Sequence, residues 1–267
     1  MFSQTWPIDA YVYTDPACPW SWAAEPALRR LQAEFGDALR LHFVMGGLAR
    51  EFKRPLETMR HWIDAGDASG MPVDPRLWLD APPRSSYPAC LAVKAAAEQG
   101  LDGPYLRRAR EGLAYERRSL DSPEPLVELA RTVPGLDVER FRVDLASNAT
   151  VEAFGADLER TRSVAPELRG GRPRVPFPSL QVGDAWAYDT PDPDAWHAAA
   201  LQAGAQPAGE RLDPLAALRR FGRMATAEVA AVCGLPGPTA PAELWRLAAA
   251  WQVKVERRVS AEVWQLA

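Results

Sequence analysis

This sequence has few of the residues that build disulfide frameworks or metal centres. Its 267 residues include only three cysteines (Cys18, Cys90 and Cys233) and three histidines. Three widely spaced cysteines do not form the disulfide framework of small secreted domains. Three scattered histidines do not provide a histidine-based metal site. We therefore expect no disulfide framework, no metal and no resident cofactor.

Long apolar runs and a strong excess of one charge are also missing. No stretch approaches the roughly 20 apolar residues needed to cross a bilayer, and the net charge is −4. This balance does not indicate a general nucleic-acid or membrane surface. The opening segment MFSQTWPIDA has neither the basic nor the apolar region of a signal peptide. We expect a cytoplasmic protein with no membrane partner.

One cysteine lies between a predicted strand and a predicted helix. A short β run ends at Asp15-Pro16, Cys18-Pro19 follows, and apolar residues then recur along one helix face at Ala24, Leu28, Leu31 and Phe35. A helix N-terminus favours a thiolate over a thiol, so the pattern predicts a lowered pKa and a reactive Cys18. Pro26 has no backbone N–H, so we expect a kink near the second turn of this helix.

The remaining periodicity predicts an α/β protein with a large helical insertion. Leu39–Met45 is a second strand that closes a βαβ unit, and the pattern is helical from Arg54 to about Val164. One of these helices is predicted to bury Leu56, Met59 and Ile63. A hairpin with its turn at Gly183-Asp184 and a final helix complete a ββα ending.

The turn TDPACPWSW resembles the active-site turn of the DsbA-like branch of the thioredoxin superfamily, whose motif is Cys-X-X-Cys. The second cysteine is here Ser21. The resemblance implies a thioredoxin-like fold made of residues 1–53 and 165–205, interrupted by a helical insertion at 54–164. It also implies catalytic roles for Cys18 and Ser21.

The resemblance further implies a cis-proline loop opposite the cysteine. We place it at Phe177-Pro178, with Pro176 as the alternative. A cis bond at Pro178 would expose the backbone of Phe177 to a bound peptide or to glutathione, which could pair with it as an added strand. Pro19, Trp20, Phe177 and Pro178 are therefore the predicted substrate-binding residues.

Residues 206–267 are predicted to form a small separate module beyond a linker at 204–209. Three helices, one of them with Thr226 as N-cap, precede an alternating hairpin, which is the order of a winged helix. Its basic residues only slightly outnumber its acidic ones, so we expect packing or partner docking rather than nucleic-acid binding. Cys90 and Cys233 fall in helical patterns, and we interpret both as core residues.

Three functions are compatible with these patterns. The first is a redox-active monothiol thiol–disulfide oxidoreductase, in which Cys18 exchanges with protein or glutathione disulfides. Ser21 cannot resolve the mixed disulfide, so an external thiol such as glutathione would act as co-substrate. The second is a glutathione-dependent isomerase or transferase. The third is a non-catalytic adaptor that binds proteins through the thioredoxin groove. A buried, inert Cys18 would favour the adaptor, and the sequence leaves the oligomeric state open.

Overall fold

The computed structural model of the chain describes residues 6–207 and 211–267. The strands are β1 (Ile8–Thr14), β2 (Leu39–Met45), β3 (Ser179–Val182), β4 (Ala185–Ala187), β5 (Met224–Ala225), β6 (Val253–Arg257) and β7 (Glu262–Leu266). The α-helices are α1 (Pro19–Ala23), α2 (Glu25–Phe35), α3 (Pro55–Ser69), α4 (Leu77–Asp80), α5 (Tyr87–Ala97), α6 (Asp102–Ala114), α7 (Pro123–Ala130), α8 (Val138–Leu145), α9 (Asn148–Ser163), α10 (Pro166–Arg169), α11 (Pro193–Gln202), α12 (Pro214–Phe221), α13 (Thr226–Cys233) and α14 (Thr239–Ala249).

A four-stranded sheet of order β2-β1-β3-β4 forms the centre of the thioredoxin-like part. β1 and β2 are parallel, with Ile8 opposite Leu39 and Thr14 opposite Met45. β3 is antiparallel to both β1 and β4. The predicted order βαβ, helices, ββα is therefore confirmed as a thioredoxin-like fold with an all-helical insertion.

The first helix is interrupted where the sequence predicts a kink. α1 ends at Ala23, Ala24 leaves helical geometry with φ −87° and ψ 0°, and α2 begins at Glu25. Pro26 occupies the first turn of α2, where the missing N–H has no helical partner in any event. The predicted apolar face is buried at Ala24, Leu28, Leu31 and Phe35.

The predicted apolar face of α3 is wrong at two of its three residues, because only Met59 packs against the core. Leu56 is 64% exposed and Ile63 is 37% exposed, whereas Trp62, Ala65 and Gly66 are buried. The face of α3 that packs against α1 and α4 is instead the one with Trp62, Ala65 and Gly66. Trp62 buries more apolar surface than Leu56 or Ile63 would, so the helix gains more by turning the Trp62 face toward the core.

The C-terminal residues have the predicted winged-helix order but are not separate from the rest of the chain. β5, β7 and β6 form a three-stranded sheet, and α12, α13 and α14 pack with it around buried Leu218, Val229, Leu244 and Trp264. α13 packs directly against α2. The N-cap of α13 is Ala225 rather than Thr226. The linker prediction falls partly on residues 208–210, which lie outside the described residues.

Both remaining cysteines are core residues, as predicted from their helical patterns. Cys90 is completely buried in the large core, and Cys233 is buried within the C-terminal module. Within the described residues, no helix is both long and apolar enough to cross a membrane.

Candidate functional site

Cys18 lies at the N-terminus of α1, directly after the turn that follows β1. It is the N-cap residue, and Pro19 begins the helix. The peptide bond between Phe177 and Pro178 is cis, as predicted. The Cys18 Sγ lies 3.8 Å from the carbonyl oxygen of Phe177, to which it can donate a weak hydrogen bond. Two segments 159 residues apart in the sequence thus meet at the thiol.

A groove of about 1010 Å³ opens over this pair. Of the predicted site residues, it brings together Cys18, Pro19, Trp20, Phe177 and Pro178. One side is formed by α3 and the loop before it, including Phe52 and His61, and the other by the 172–178 loop. Ser21 does not line the groove: it is buried behind Cys18, and its Oγ has no hydrogen-bond partner among the described residues.

The local environment of Cys18 contradicts the expectation of a lowered thiol pKa. The residue is only 4% exposed, and burial raises the pKa of its thiol. The Ser21 hydroxyl makes no hydrogen bond of normal geometry to the sulfur, but it is near enough to favour the thiolate, and burial outweighs this effect. The carboxyl of Asp15 raises the pKa further. The position at a helix N-terminus was identified correctly from sequence. Its electrostatic effect is smaller than the cost of removing a thiolate from water.

The carboxyl of Asp15 lies in a buried polar pocket behind the thiol. The sequence places Asp15 near Cys18, where a carboxylate opposes the thiolate, but it does not predict this burial or these partners. Its Oδ1 accepts from the backbone N–H of Ala17 at 2.8 Å, and its Oδ2 accepts from the backbone N–H of Leu48 at 2.5 Å. Oδ2 also accepts from the Ser86 hydroxyl at 3.0 Å and the Cys90 thiol at 3.2 Å. Burial raises the pKa of the Asp15 carboxyl, although these bonds oppose the shift. Through these hydrogen bonds, the Asp15 carboxyl connects the cysteine turn to Ser86 and Cys90 of the helical insertion.

Arg174 fixes the cis-proline loop against the end of β2. Its guanidinium donates to the carbonyl oxygens of Gly47 and Leu48, each at 2.7 Å, and to that of Gly46 at 3.2 Å. The same group lies 5.4 Å from the centre of the Phe177 ring. Gly46 leaves no room for a side chain here, because a Cβ would lie 1.8 Å from the Phe177 ring. The wall of the groove is therefore held by contacts that no local motif predicts.

A second polar assembly joins the thioredoxin-like part, the insertion and the C-terminal module. We call it the junction cluster; it consists of Glu25, Arg107, Arg110, Glu111 and Glu228, all buried. Arg107 donates to Glu25 at 2.9 Å, to Glu111 at 2.9 Å and to Glu228 at 2.6 Å. Arg110 bonds to Glu25 and to Thr14.

The junction cluster stabilises the charged form of Glu25. Burial acts to raise the pKa of Glu25, but the attraction of Arg107, and then of Arg110 and Arg29, outweighs it and lowers the pKa to about 2. Glu228 also accepts from the backbone N–H of Ala225 at 2.7 Å, so the residue that pairs with Arg107 also caps α13. Among the described residues, no group of three or more His, Cys, Asp or Glu side chains is placed to hold a metal ion.

Comparison with known proteins agrees with this geometry. A family model described as thioredoxin matches residues 11–165, more than half of the chain. The chain belongs to the thioredoxin family. The match begins within β1 and includes the cysteine turn and the whole insertion, whereas the cis-proline loop and the C-terminal module lie beyond it.

Curated relatives carry the name ClpXP adapter protein SpxH. The Bacillus subtilis protein is 29% identical over 266 residues, which covers 94% of this chain and 87% of the relative. The Halalkalibacterium halodurans protein is 33% identical over 174 residues, which covers 61% of this chain. That second match spans 56% of the relative's own length, just over half.

Solved structures show the same DsbA-like fold at low sequence identity. The cytosolic disulfide reductase DsbM from Pseudomonas aeruginosa, solved with glutathione, has a TM-score of 0.57 and 23% identity, and covers 72% of this chain and 96% of that one. A protein described as a probable DsbA oxidoreductase from Streptomyces coelicolor has a TM-score of 0.59 and 20% identity, and covers 77% of this chain and 93% of that one.

Proposed function

We propose that this chain is a non-catalytic adaptor that binds a client protein in the Cys18 groove and brings it to a ClpXP-type protease. The adaptor uses a thioredoxin-family groove as a binding surface rather than as a redox centre. The observation that carries the proposal is the buried state of Cys18, whose thiol has a raised pKa and no second cysteine three residues on.

The chemistry of Cys18 supports binding over catalysis. A thiol attacks disulfides as its thiolate, and burial that raises the pKa reduces the thiolate fraction at neutral pH. With Ser21 in place of the resolving cysteine, any mixed disulfide would persist until an external thiol released it. The groove above the thiol remains open and large, so a protein segment can enter it without reacting.

The lining of the groove supports a peptide-like client. Trp20, Phe52 and Phe177 contribute apolar rings, and Pro178 lies beside them. These rings can bury client side chains, while the irregular 172–178 loop offers backbone groups to an extended segment. Aromatic anchors in a concave site are typical of the residues that dominate binding energy at protein interfaces.

The likeness to the Bacillus subtilis relative supports delivery to the protease. It covers nearly the full length of this chain, including the C-terminal module that the family model does not reach. We therefore assign the groove to the client. We assign contact with the protease to other surfaces, among which the C-terminal module is the first candidate.

Proteolysis with a purified ClpXP tests this proposal. Cell proteins are incubated with the protease and ATP, with and without the chain, and their half-lives are followed by quantitative mass spectrometry. We expect a small set of proteins to be degraded faster when the chain is present. Trp20→Ala, which removes a groove ring, should abolish that acceleration, and the matched control Trp6→Ala changes an exposed tryptophan outside the groove.

Cys18→Ala distinguishes the adaptor from an enzyme. An adaptor with an inert thiol should keep its acceleration of degradation in this variant. If degradation is unchanged by the chain, and the native chain catalyses reduction of insulin disulfides in a way that Cys18→Ala abolishes, the adaptor proposal is wrong.

The second candidate is the monothiol oxidoreductase acting on protein or glutathione disulfides. It is favoured by one observation, the contact between the Cys18 Sγ and the carbonyl of Phe177 at the base of an open groove. Ser21→Cys would restore a dithiol turn and should raise disulfide-reduction activity under this hypothesis. Retention of the chain on immobilised glutathione with little disulfide turnover would instead support the glutathione-dependent isomerase or transferase.

A further inference from the structure

A second cavity, of about 770 Å³, lies where the thioredoxin-like part, the insertion and the C-terminal module meet. It is bordered by α2, by α6 and by residues 220–223 at the end of α12. The arginines that line it are Arg29, Arg107, Arg108, Arg110, Arg220 and Arg223. The acids that line it are Glu25 and Glu111. We call this space the junction cavity.

Four of these arginines are matched by acids. Arg107 and Arg110 belong to the junction cluster, where they bond to Glu25, Glu111 and Glu228.

The other two matched arginines lie at the edge of the cluster. Arg108 pairs with Glu111 and Glu116. Arg223 lies 3.6 Å from Glu116 and 3.5 Å from Glu256. These charges compensate one another without any ligand.

The other two arginines are poorly matched. The Nε of Arg29 is buried and has no hydrogen-bond partner among the described residues. The oxygens of Glu228 and Glu25 that lie 3.7 and 3.9 Å from it already accept bonds from Arg107. Burial and the neighbouring Arg107 lower the pKa of Arg29, and they outweigh the attraction of Glu25 and Glu228, which acts to raise it. A further anion beside Arg29 would offset the remaining burial cost and the repulsion from Arg107.

Arg220 is the second poorly matched arginine of the cavity, with no close acidic partner among the described residues. It is exposed and donates to the backbone carbonyl of Gln32 at 2.7 Å, and within residues 6–207 and 211–267 no carboxylate lies within ion-pair distance of it. Both guanidinium groups lie over the ring of Phe221, Arg29 at 5.1 Å and Arg220 at 5.2 Å from its centre. Asp37 lines an adjoining hollow together with both arginines, without an ion pair to either.

We propose that the junction cavity binds a phosphate-bearing small molecule, with the phosphate held between Arg29 and Arg220 at the Phe221 ring. Two planar guanidinium groups match the charge and oxygen geometry of a phosphate better than those of a single carboxylate. Behind the arginines, Leu28, Phe43 and Val133 give the cavity an apolar wall for the organic part of the ligand. Bound there, the ligand contacts all three parts of the chain and stabilises the docked C-terminal module.

Isothermal titration calorimetry of the full chain with pyrophosphate tests this assignment. We expect saturable binding, and a thermal-unfolding midpoint that rises with pyrophosphate more than with potassium chloride at equal ionic strength. Arg220→Gln should weaken pyrophosphate binding by roughly ten- to a hundredfold, because it removes one charge-assisted partner. The exposed position of Arg220 makes this variant safe for folding. Arg219→Gln, a change of the preceding arginine of α12, is the matched control because Arg219 does not line the cavity.

Three results would overturn the proposal. One is the absence of saturable binding of pyrophosphate above the chloride control. Another is equal binding by Arg220→Gln and Arg219→Gln. The third is binding of acetate or citrate as tight as that of pyrophosphate, which would make this a carboxylate site rather than a phosphate site. None of these measurements involves Cys18 or a client protein, so they are independent of the adaptor proposal.

Discussion

The Cys18 groove and the junction cluster both bury groups that water would otherwise solvate, but they compensate for the lost water differently. Among the described residues, the thiol donates only a weak hydrogen bond, to the Phe177 carbonyl oxygen at 3.8 Å, and burial shifts its pKa toward the neutral form. In the junction cluster, each buried carboxylate faces an arginine, and the pKa of Glu25 is shifted toward the charged form. The groove therefore holds a neutral side chain, and the cluster holds fixed charges.

The two regions should therefore tolerate substitutions differently. A neutral buried thiol can be replaced by a neutral side chain at little cost, because no buried charge loses its partner. A buried ion network cannot lose one member without leaving another uncompensated. We therefore expect changes in the cluster to affect folding, and changes in the groove to affect binding.

Arg107→Met should have the largest effect on stability. It leaves Glu25 and Glu228 buried without their shared partner, and the free energy of unfolding should fall by about 3–5 kcal/mol. Urea denaturation measures the change. Arg142→Met is the control, because Arg142 pairs with Glu139 on the surface and should contribute about 0–1 kcal/mol. Similar losses in both variants would contradict the contrast between the two regions.

The pH dependence of the free energy of unfolding should show the lowered pKa of Glu25. Its pKa is about 2 in the folded chain against an ordinary 4.5, so unfolding takes up a proton between these values. The stabilisation is complete above about pH 4.5 and is lost as the pH falls toward 2, a change of roughly 3 kcal/mol.

Glu25→Gln should lower stability at neutral pH and flatten the decline between pH 4.5 and 2, as measured by denaturant unfolding at each pH. Glu139→Gln, at a position 84% exposed, serves as the control. An unchanged slope in Glu25→Gln would show that the cluster does not hold this carboxylate as a fixed charge.

Ser86→Ala should have an intermediate effect on stability, because the Ser86 side chain connects the pocket behind the Cys18 groove to the insertion. The Ser86 hydroxyl donates to Asp15 and accepts from the backbone N–H of Ala49 at 3.1 Å. Losing both bonds at a buried acid should cost about 2 kcal/mol in the free energy of unfolding. Ser163→Ala is the comparison, since its hydroxyl bonds to a carbonyl on the exposed surface. A cost for Ser86→Ala no larger than for Ser163→Ala would argue against the pocket behind Cys18.

Cys18→Ala should have the smallest effect on stability, about 1 kcal/mol for one buried atom. In the native chain, iodoacetamide should modify Cys18 more slowly than in the urea-unfolded chain, because burial raises the thiol pKa. Peptide mass spectrometry compares the two rates within one sequence. Faster alkylation in the native state would mean an activated thiolate and would restore the redox hypothesis.

Much of the fold could be predicted because its signals are local. The strand, turn and cysteine order identified β1 and α1, and Pro26 predicted the break at Ala24. The cis bond at Pro178 was predicted from the resemblance to the DsbA-like branch rather than from spacing. α3 was misjudged because Trp62, rather than Leu56 and Ile63, makes its buried contacts. Spacing alone cannot tell which of two apolar faces meets the core.

Local sequence signals are sufficient to specify most of the elements, their order and the monothiol turn Cys18-Pro19-Trp20-Ser21, because turn residues, proline and helical periodicity act over a few positions. The burial of Cys18 beside Phe177 depends on long-range packing. So does the link that Arg107 makes between Glu25 and Glu228, which lie 82 and 121 residues from it in the sequence. The pKa of a group depends on its solvation and on the charges around it. Both are set by segments distant in the sequence, which come together only when the chain folds.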